Sequence, residues 1–421
     1  MKKKTRFFAF VLAFFLFSAL CLTSCSSQLA SFEEEEKTQE EVKTEKESVK
    51  KEEEIVEKTE AIPTATAEDR AHLENIYAGR TAYFGDIHCH PLAGVMPDGR
   101  KTLAEWKEKM SELGLDFVAF MNHRQIAHMY EKEWDTSIFI GGTEPATKIV
   151  DSSAQDKSLH YNMFFPDPTD LYEILMEFPE FNYTGGKDGI SQMEGSFSYP
   201  SFTTARFQEL IAAIKSKGGL FVNVHPKQQM QAFGVDPYYF ADYTGLEVFY
   251  GYKGNIAGED TKENYKLWTK LLEKGKRVWA TAGSDSHGDA TDVALTCIYS
   301  EKKNDDAYLS HLVEGDFVCG FAPIRMAIGN AKMGSSTDFQ GKRVVFSVGA
   351  IHSAMYEEGR EYTIKVFSSE GVIYTAKTDG KEEVFFSFDA DEKVDFYRVE
   401  VLDEKRASQP IIAIGNPIWN D

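Results

Sequence analysis

The chain has few cysteines and little basic charge. Only five cysteines occur in 421 residues, and those beyond position 25 are Cys89, Cys297 and Cys319. Three well-separated cysteines exclude a disulfide framework, so we interpret them as small buried hydrophobic residues. Acidic residues outnumber basic ones, 67 to 46, and the net charge is -21. This charge argues against binding to a nucleic-acid backbone.

The apolar run Phe7–Leu20 is shorter than the ~20 residues that a membrane-spanning helix needs. It follows a basic start and precedes Leu22-Thr23-Ser24-Cys25, which resembles a bacterial lipobox. Residues 1–24 are therefore predicted to be a lipoprotein signal peptide; an uncleaved anchor or a plain signal peptide is the alternative. Acyl chains on Cys25 would anchor the protein to a membrane in the bacterial cell envelope, facing the periplasm or the surface.

Residues 25–66 are predicted to be a disordered acidic tether. Between Glu33 and Glu60 most residues are Glu or Lys, and apolar residues are almost absent. Such a stretch cannot bury enough apolar surface to offset the entropy of ordering it, and runs of like charge extend it. A solvated single helix is the alternative. Either form would space the remaining residues away from a membrane.

Region 67–325 alternates short apolar runs with helical patterns. One helix is predicted to begin after Thr102, with Glu105 at capping-box spacing and Gly114 at its C-terminal cap. Alternation of this kind predicts an α/β fold of βα units with a parallel sheet, closed or nearly closed into a barrel. The predicted strands include Asp116–Met121, Ser137–Gly142, Tyr161–Phe165, Leu220–Val224, Gly245–Phe249 and Val278–Gly283, and the predicted helices include Phe207–Lys217 and Leu267–Lys274.

Histidines and carboxylates follow the ends of these apolar runs. His88 and His90 are two positions apart on a predicted strand, so both side chains point to one side and form half of a metal site. In barrels of this type the catalytic groups lie at the carboxyl ends of the strands. We therefore predict one polynuclear metal site from the residues at or just past these ends: His88, His90, His123, Glu144, His225, Asp285 and His287.

Seven segments between Gly85 and His287 form a recognisable series. They are Gly85-Asp86-Ile87-His88-Cys89-His90, Pro97-Asp98-Gly99, Gly114–His123, Gly141-Gly142-Thr143-Glu144, His160, His225-Pro226 and Gly283-Ser284-Asp285-Ser286-His287. Each segment alone has low specificity. In this order they resemble the PHP superfamily, the polymerase-and-histidinol-phosphatase family of metal-dependent phosphoesterases.

The resemblance implies a distorted (β/α)7 TIM-like barrel with two or three divalent metal ions. Mixed imidazole and carboxylate ligands favour Zn, Mn or Fe over Mg or Ca. The family pattern assigns the first ion to His88, His90, Glu144 and Asp285, the second to Glu144 as a bridge with His160 and His225, and the third to Asp98, His123 and His287.

The sequence departs from the family pattern at two positions, and both departures bear on the third ion. The family usually has Asp where this chain has Asn122, and its Asp-Gly pair tends to follow the two histidines more closely than Asp98 follows His90.

Region 326–421 has a different pattern. Runs such as Val344–Val348 and Glu361–Phe367 alternate in polarity between Gly, Asp and Lys turns, which predicts a small antiparallel β-sandwich. Some PHP-like proteins of the carbaryl-hydrolase-like branch have a similar tail, ending in a phrase like Gly415-Asn416-Pro417-Ile418-Trp419. This region would cover barrel surface, or alternatively bind a glycan or a partner.

The predicted function is metal-dependent hydrolysis of a small-molecule substrate, most simply a phosphoester, by a metal-activated water. Arg124 and Lys227 are close to proposed ligands and are candidates to clamp a phosphate, or else are solvated or salt-bridged surface residues. The alternatives are a carbamate, ester or amide hydrolase with the same site, and a non-catalytic metal-binding surface lipoprotein.

Several further side chains have more than one interpretation. Cys89 lies between two proposed ligands, but strand alternation points it away from them, which favours core packing over ligation. Glu247 would support a ligand or cap a backbone group, and Tyr250 and Tyr252 would line the pocket. The histidines outside the strand-end pattern, predicted to be surface or core residues, are His128, His311 and His352.

Overall fold

The structure is a computed structural model. It describes residues 60–95, 97–123, 125–152, 158–165, 167–183, 200–226, 239–251, 259–406 and 409–421. The predictions for residues 1–59, including Cys25, lie outside the described residues, as do those for Arg124, Lys227 and Tyr252. Residues 60–421 form one compact unit. The described part of the chain contains no helix that is both long and apolar enough to span a membrane.

The described strands and helices alternate up to about residue 320, and strands alone follow. The strands are β1 (Glu60–Ala61), β2 (Thr81–Cys89), β3 (Phe117–Phe120), β4 (Phe139–Thr143), β5 (Ala146–Ile149), β6 (Leu159–Phe164), β7 (Ser201–Phe202), β8 (Leu220–Asn223), β9 (Thr244–Tyr250), β10 (Val278–Gly283), β11 (Thr296–Ser300), β12 (Phe317–Gly320), β13 (Ile324–Ile328), β14 (Ala331–Lys332), β15 (Ser336–Thr337), β16 (Arg343–Val348), β17 (Tyr362–Ser368), β18 (Gly371–Thr378), β19 (Val384–Asp389), β20 (Phe396–Leu402), β21 (Ile411–Gly415) and β22 (Ile418–Asn420). The α-helices are α1 (Ala67–Ile76), α2 (Leu103–Leu113), α3 (Pro168–Glu177), α4 (Thr204–Ser216), α5 (Glu259–Glu273) and α6 (Asp305–Glu314), and 3-10 turns cover Ala127–Tyr130 and Pro179–Phe181.

Local sequence signals account for the bounds of α2. The Thr102 side chain accepts a hydrogen bond from the Glu105 N–H, and the Glu105 carboxylate accepts one from the Thr102 N–H. Gly114 ends the helix in the left-handed conformation, with φ 70°, where a side chain would be strained. The predicted capping box and glycine cap are therefore confirmed.

The strands that carry the predicted site form a mixed sheet. β2, β3 and β4 are parallel neighbours, as are β8, β9 and β10, and β6 lies between β4 and β8, antiparallel to both. The expectation of an all-parallel sheet is wrong at β6, because β5 and β6 pair as an antiparallel hairpin and the chain turns back without a crossover helix.

The strand order is β2-β3-β4-β6-β8-β9-β10. Its first and last strands, β2 and β10, approach each other at their carboxyl ends. A single parallel bridge joins Cys89 to Ser286 there, and the His90 N–H donates to the Ser286 carbonyl at 2.9 Å. No continuous ladder joins β10 to β2 among the described residues. A closed (β/α)7 barrel is therefore not confirmed; the described chain has a mixed α/β fold with a large sheet.

The C-terminal strands continue that sheet. β2 pairs with β11, β11 with β12, β12 with β21, β21 with β20 and β20 with β17, all antiparallel. A separate 4-stranded sheet contains β13, β14, β16 and β19. Side chains of both sheets share one hydrophobic core, for example Phe346 and Val399. The predicted boundary at 325/326 falls within β13.

Residues 60–66 differ from the predicted disordered tether. β1 pairs with β18, and Ile62 is buried in the C-terminal core. Thr66 caps α1 through a capping box with Asp69. The acidic composition upstream conceals these few residues, because their apolar positions, Ala61, Ile62 and Ala65, form no recognisable strand or helix pattern.

Candidate metal centre

The predicted ligands converge at one edge of the mixed sheet. The edge is formed by the carboxyl ends of the parallel strands β2, β3, β4, β8 and β10. His160 is the second residue of β6 and reaches the same edge because β6 runs in the opposite direction. The side chains brought together are His88, His90, Asp98, His123, Glu144, His160, His225, Asp285 and His287.

Glu144 occupies the middle of the cluster and is fully buried. Its Oε1 lies 2.8 Å from His160 Nδ1 and 3.1 Å from His225 Nε2. Its Oε2 lies 3.2 Å from the Nε2 atoms of both His88 and His90. A carboxylate with imidazoles on both oxygens has the geometry expected of a bridge between two cations.

Asp285 completes an inner group with His88, His90 and Glu144. Its Oδ1 lies 3.0 Å from His90 Nε2 and 3.5 Å from His88 Nε2, and the Tyr250 hydroxyl donates to its Oδ2 at 3.2 Å. Asp285 has a backbone φ of 54°, a strained conformation for a residue with a side chain. One atom from each of the four residues can face a common point.

Asp98 organises a second cluster at the opening of the site. We call Asp98, His123 and His287 the rim group. Asp98 Oδ2 lies 3.1 Å from His287 Nε2 and 3.4 Å from His123 Nε2, and its Oδ1 lies 3.4 Å from His90 Nδ1. The loop after β2 thus brings Asp98 to the site despite its distance in sequence from His90.

Three groups of these side chains could each hold an ion. The inner group contains the same four residues as the first metal position implied by the family resemblance. The other two differ in part from the implied sets: His123, Glu144 and His160 form one, and His90, Asp98 and His123 form the other. The site residues are thus brought together, while the division of ligands among ions stays a prediction.

The orientation of the rim imidazoles fits a bound cation. His123 Nδ1 lies 3.1 Å from the Glu144 carbonyl, and His287 Nδ1 lies 3.0 Å from the Asp285 carbonyl. A carbonyl oxygen only accepts, so each Nδ1 carries a proton and a neutral ring has a bare Nε2. Both Nε2 atoms then face the same carboxylate oxygen of Asp98, Oδ2. A bare ring nitrogen and a carboxylate oxygen are both acceptors, so they attract each other only when a proton or a metal ion lies between them.

The ionisation of the cluster also favours a cation. Burial disfavours charge on Glu144, but the imidazoles of His123 and His88 hold its pKa well below the usual range. Burial likewise opposes charge on Asp285, yet His88 and His90 lower its pKa. Burial alone would lower the pKa of His88 and His90, whereas the surrounding carboxylates raise both well above their usual values. Imidazoles and carboxylates in this cluster therefore stabilise each other's charged forms, and the carboxylates favour positive charge beside them.

The departure from the family pattern at Asn122 has a structural explanation. Asn122 is fully buried, and its side-chain amide donates to the carbonyls of Pro91 at 3.2 Å and Ala93 at 2.9 Å. A carboxylate could not donate either bond. The amide thereby ties down the start of the loop that leads to Asp98.

Sequence reasoning missed the role of Asp86. Its carboxylate accepts hydrogen bonds from the N–H of His88 and the N–H of Ser284, each at 3.1 Å, and from the Ser284 hydroxyl. It thus joins the ends of β2 and β10, which carry the histidine pair and Asp285. The available signal was an acidic residue two positions before His88 in an otherwise apolar strand.

The residues outside the strand-end pattern lie apart from the centre. Burial lowers the pKa of His128 to about 3, so this ring is a neutral core residue. The ring of the half-buried His352 lies against Phe84. Cys89, Cys297 and Cys319 are buried free thiols, as predicted. The negative charge of Asp316, which lies near His311, is balanced by Arg80 and Lys332, each at 2.9 Å.

Comparisons with known proteins find similarity to solved structures. No protein-family model matches the chain, and a search of curated proteins found no match. Among solved structures, a two-domain protein from Bacteroides vulgatus containing a predicted PHP-like metal-dependent phosphoesterase is 14% identical, with a TM-score of 0.37 over 86% of this chain and 98% of that one.

Two further structures match about half of this chain. A protein from Bifidobacterium adolescentis, described as a metal-dependent phosphoesterase, is 21% identical, with a TM-score of 0.29 over 53% of this chain and 92% of its own. Endonuclease Q from Pyrococcus furiosus is 11% identical, with a TM-score of 0.33 over 55% of this chain and 56% of its own. Identities and TM-scores this low do not establish an activity for this chain. A functional proposal therefore rests on the side chains of the candidate metal centre.

Proposed function

We propose that this protein is a metal-dependent hydrolase of the PHP type that cleaves small phosphoesters. The observation that carries the proposal is the position of Glu144. Its two carboxylate oxygens face the imidazoles of His88, His90, His160 and His225 at 2.8 to 3.2 Å, in a buried place. So dense a set of metal-ligating side chains around one carboxylate has no role in core packing.

The residues present fit two or three divalent ions. The inner group would hold one ion, Glu144 would bridge to a second on the side of His160 and His225, and the rim group would hold a third. Ions held there would lower the pKa of a bound water to make a nucleophile and would neutralise charge on a phosphate. Imidazole and carboxylate ligands together favour Zn, Mn or Fe.

The chain itself orients these groups and shapes access to them. Asp86 holds the ends of β2 and β10 together, and the Tyr250 hydroxyl fixes Asp285 by donating to Oδ2. His88, His90 and Glu144 are buried, while Asp98 and His287 are the more exposed side of the cluster, so substrate would approach beside Asp98 and His287. Arg124 and Lys227 remain candidates to bind a phosphate.

Metal removal combined with a substrate panel tests this proposal. The purified protein is analysed for bound metal, then assayed on phosphomonoesters, phosphodiesters, and carboxylic and carbamic esters, before and after chelation. We expect phosphoester hydrolysis that is lost on chelation and restored by Zn²⁺ or Mn²⁺. Hydrolysis confined to the carboxylic or carbamic esters would contradict the substrate class, and a metal-loaded protein that hydrolyses nothing would contradict the enzyme assignment.

We also propose that Cys25 is acylated and anchors the protein in a bacterial envelope. The support is the order of basic residues, apolar run and small residues before Cys25. In a bacterial host given a labelled fatty acid, the full chain should carry the label and a Cys25→Ser variant should not. Equal labelling of the two chains would contradict the anchor.

A further inference from the structure

We propose that Glu247 is a positioning residue that holds His88 and His225 in the orientations that metal binding requires. The inference rests on the proposed function, because it concerns ligands of the same centre. Glu247 lies in β9, is 2% exposed, and is not one of the metal ligands implied by the family resemblance.

Each carboxylate oxygen of Glu247 has its own partner. Oε1 lies 2.9 Å from His88 Nδ1, and Oε2 accepts a hydrogen bond from the backbone N–H of His225 at 2.7 Å. One side chain thus contacts a residue of β2 and a residue that follows β8. Glu144 contacts the Nε2 atom of each of these histidines, at 3.2 Å for His88 and 3.1 Å for His225.

The contact with His88 determines which nitrogen is available for a metal. A carboxylate accepts a hydrogen bond, so Glu247 keeps a proton on His88 Nδ1. In a neutral ring Nε2 is then bare, and this is the atom that faces Glu144 at 3.2 Å and Asp285 at 3.5 Å. Carboxylate–imidazole–metal chains of this kind orient the ring and make the ligating nitrogen more basic.

The contact with His225 acts through the backbone. His225 has a φ of 30°, which is unfavourable for a residue with a side chain. Such a conformation persists only where surrounding contacts enforce it. The short hydrogen bond to Glu247 Oε2 is such a contact, and it directs the ring so that Nε2 lies 3.1 Å from Glu144 Oε1.

Gly283 supplies the space that this arrangement needs. It ends β10 beside Glu247, and a Cβ atom at this position would collide with Glu247 Oε1 and with His88 Cβ. The backbone of β10 can therefore pass the Glu247–His88 contact only where no side chain is present.

Glu247 differs from the groups that orient the rim histidines. His123 and His287 direct Nδ1 to backbone carbonyls, which are neutral. His88 directs Nδ1 to a carboxylate, a stronger acceptor. The sequence alone left two roles open for Glu247, support of a ligand or capping of a backbone group, and the structure places one oxygen in each role.

Glu247→Gln tests the proposal with little change in volume. If the amide oxygen accepts from His225, the amide NH2 faces His88 Nδ1 and drives the proton to Nε2, where it blocks ligation. If the amide oxygen accepts from His88, the NH2 group faces the backbone N–H of His225, and two donors cannot form a hydrogen bond. Either orientation breaks one of the two contacts.

The measurements are the Zn²⁺ dissociation constant by chelator competition, the visible spectrum of the Co²⁺-loaded protein and the thermal unfolding of the metal-free protein. We expect Glu247→Gln to weaken Zn²⁺ binding by ~10–100-fold. The Co²⁺ spectrum should change as well, because the ligand field at His88 changes. Gly283→Ala keeps the Glu247 carboxylate but displaces it, because the added methyl group would collide with Glu247 Oε1 and His88 Cβ. This variant should also weaken Zn²⁺ binding.

Glu400→Gln is the matched control. Glu400 is a buried strand glutamate, 1% exposed, that contacts Tyr265 and Arg398 instead of the metal centre. Its variant should bind Zn²⁺ as the unaltered protein does. Unchanged Zn²⁺ affinity in Glu247→Gln, or an equal loss in Glu400→Gln, would overturn the proposal. If Glu247→Gln does not fold, unchanged affinity in Gly283→Ala overturns it.

The outcome is separable from that of the proposed function. A protein that binds Zn²⁺ and hydrolyses no ester would contradict the activity, while the comparison of Glu247→Gln with Glu400→Gln would still decide the positioning role. Normal hydrolysis with unchanged Zn²⁺ affinity in Glu247→Gln would leave the activity standing and remove the positioning role.

Discussion

The inner group and the rim group share one cluster but differ in their exposure to solvent. In the inner group the side chains of His88 and His90 are fully buried, Glu144 is 1% exposed and Asp285 is 21% exposed. In the rim group Asp98, His123 and His287 are 39%, 33% and 27% exposed. The inner histidines belong to β2 or directly follow it, while Asp98 lies on a loop. A rigid, desolvated position strengthens electrostatic interactions and holds ligands in place before an ion arrives.

This difference implies a division of roles. The inner group should hold its ion tightly, because its ligands are already oriented by Asp86, Glu247 and the strands. The rim group should bind more weakly and exchange with solvent, because its carboxylate is screened and lies on a loop. Variants in the two groups should therefore have effects of different size.

The largest effect is expected for Asp285→Ala. The change removes the carboxylate closest to His90 Nε2, at 3.0 Å, from the inner group. Changes to groups that only support a ligand typically cost 10–100-fold, so loss of a direct ligand should lower hydrolysis by at least ~100-fold. Bound metal, measured by elemental analysis, should fall with it.

Asp305→Ala is the control for that variant. Asp305 is a buried aspartate at the start of α6, where burial raises its pKa to about 6, and it contacts no predicted ligand through an observed hydrogen bond. Its variant should retain metal and activity. If the Asp285→Ala protein kept both its bound metal and its activity, the inner group would have no part in the mechanism.

A smaller effect is expected for Asp98→Asn. The amide keeps the size of the side chain and loses its negative charge, which His123 and His287 face at 3.4 and 3.1 Å. We expect selective loss of the most weakly bound metal and a fall in hydrolysis of about tenfold. Metal titration followed by calorimetry separates the weak site from the tight one.

Asp289→Asn provides the comparison on the same face. Asp289 is paired with Arg100 at 2.9 Å and is not a predicted ligand. In the same metal titration, the Asp289→Asn variant should bind metal as the unaltered protein does. If Asp98→Asn abolished tight metal binding as completely as Asp285→Ala, the distinction between inner and rim groups would be wrong.

The last difference expected between the two groups is in proton release. The pKa values of His88 and His90 are raised well above normal by nearby carboxylates, so these rings are protonated near neutral pH without metal. The pKa of His123 is lowered by burial, so this ring is already neutral. Metal binding at the inner group must release protons, and its affinity should rise with pH by up to about tenfold per unit for each proton.

Calorimetry in buffers of different ionisation enthalpy measures that release. We expect the tight binding event to depend on the buffer and the weak event to depend on it less. Equal proton release from both events would mean that the two groups do not differ in ionisation.

Much of the site could be predicted because its signals are local. The predicted strand Val278–Gly283 has the bounds of β10, and Thr102 and Gly114 cap α2 as expected. Predicted ligands that follow apolar strands, such as Asp285, are visible in one sequence because parallel strands end at a common edge.

The remaining features depend on distant residues. The direction of β6 is set by pairing with β4, β5 and β8, and a single strand pattern contains no information on direction. Both partners of Glu247, and the Ser284 partner of Asp86, lie in or just past other strands, so these roles appear only once those strands are adjacent. The helix predicted over Leu267–Lys274 is longer, at Glu259–Glu273, because its first turns are polar.

The unbroken ladder from β2 to β21 has a practical consequence for shortening this protein. A chain cut after residue 325 would lose β21 and leave β12 with a bare edge, which invites aggregation. It would also lose Asn416, whose side-chain oxygen accepts from the Ala280 N–H at 2.8 Å in the strand that delivers Asp285. A chain that ends before Asn416 should therefore bind metal more weakly, although no predicted ligand is missing.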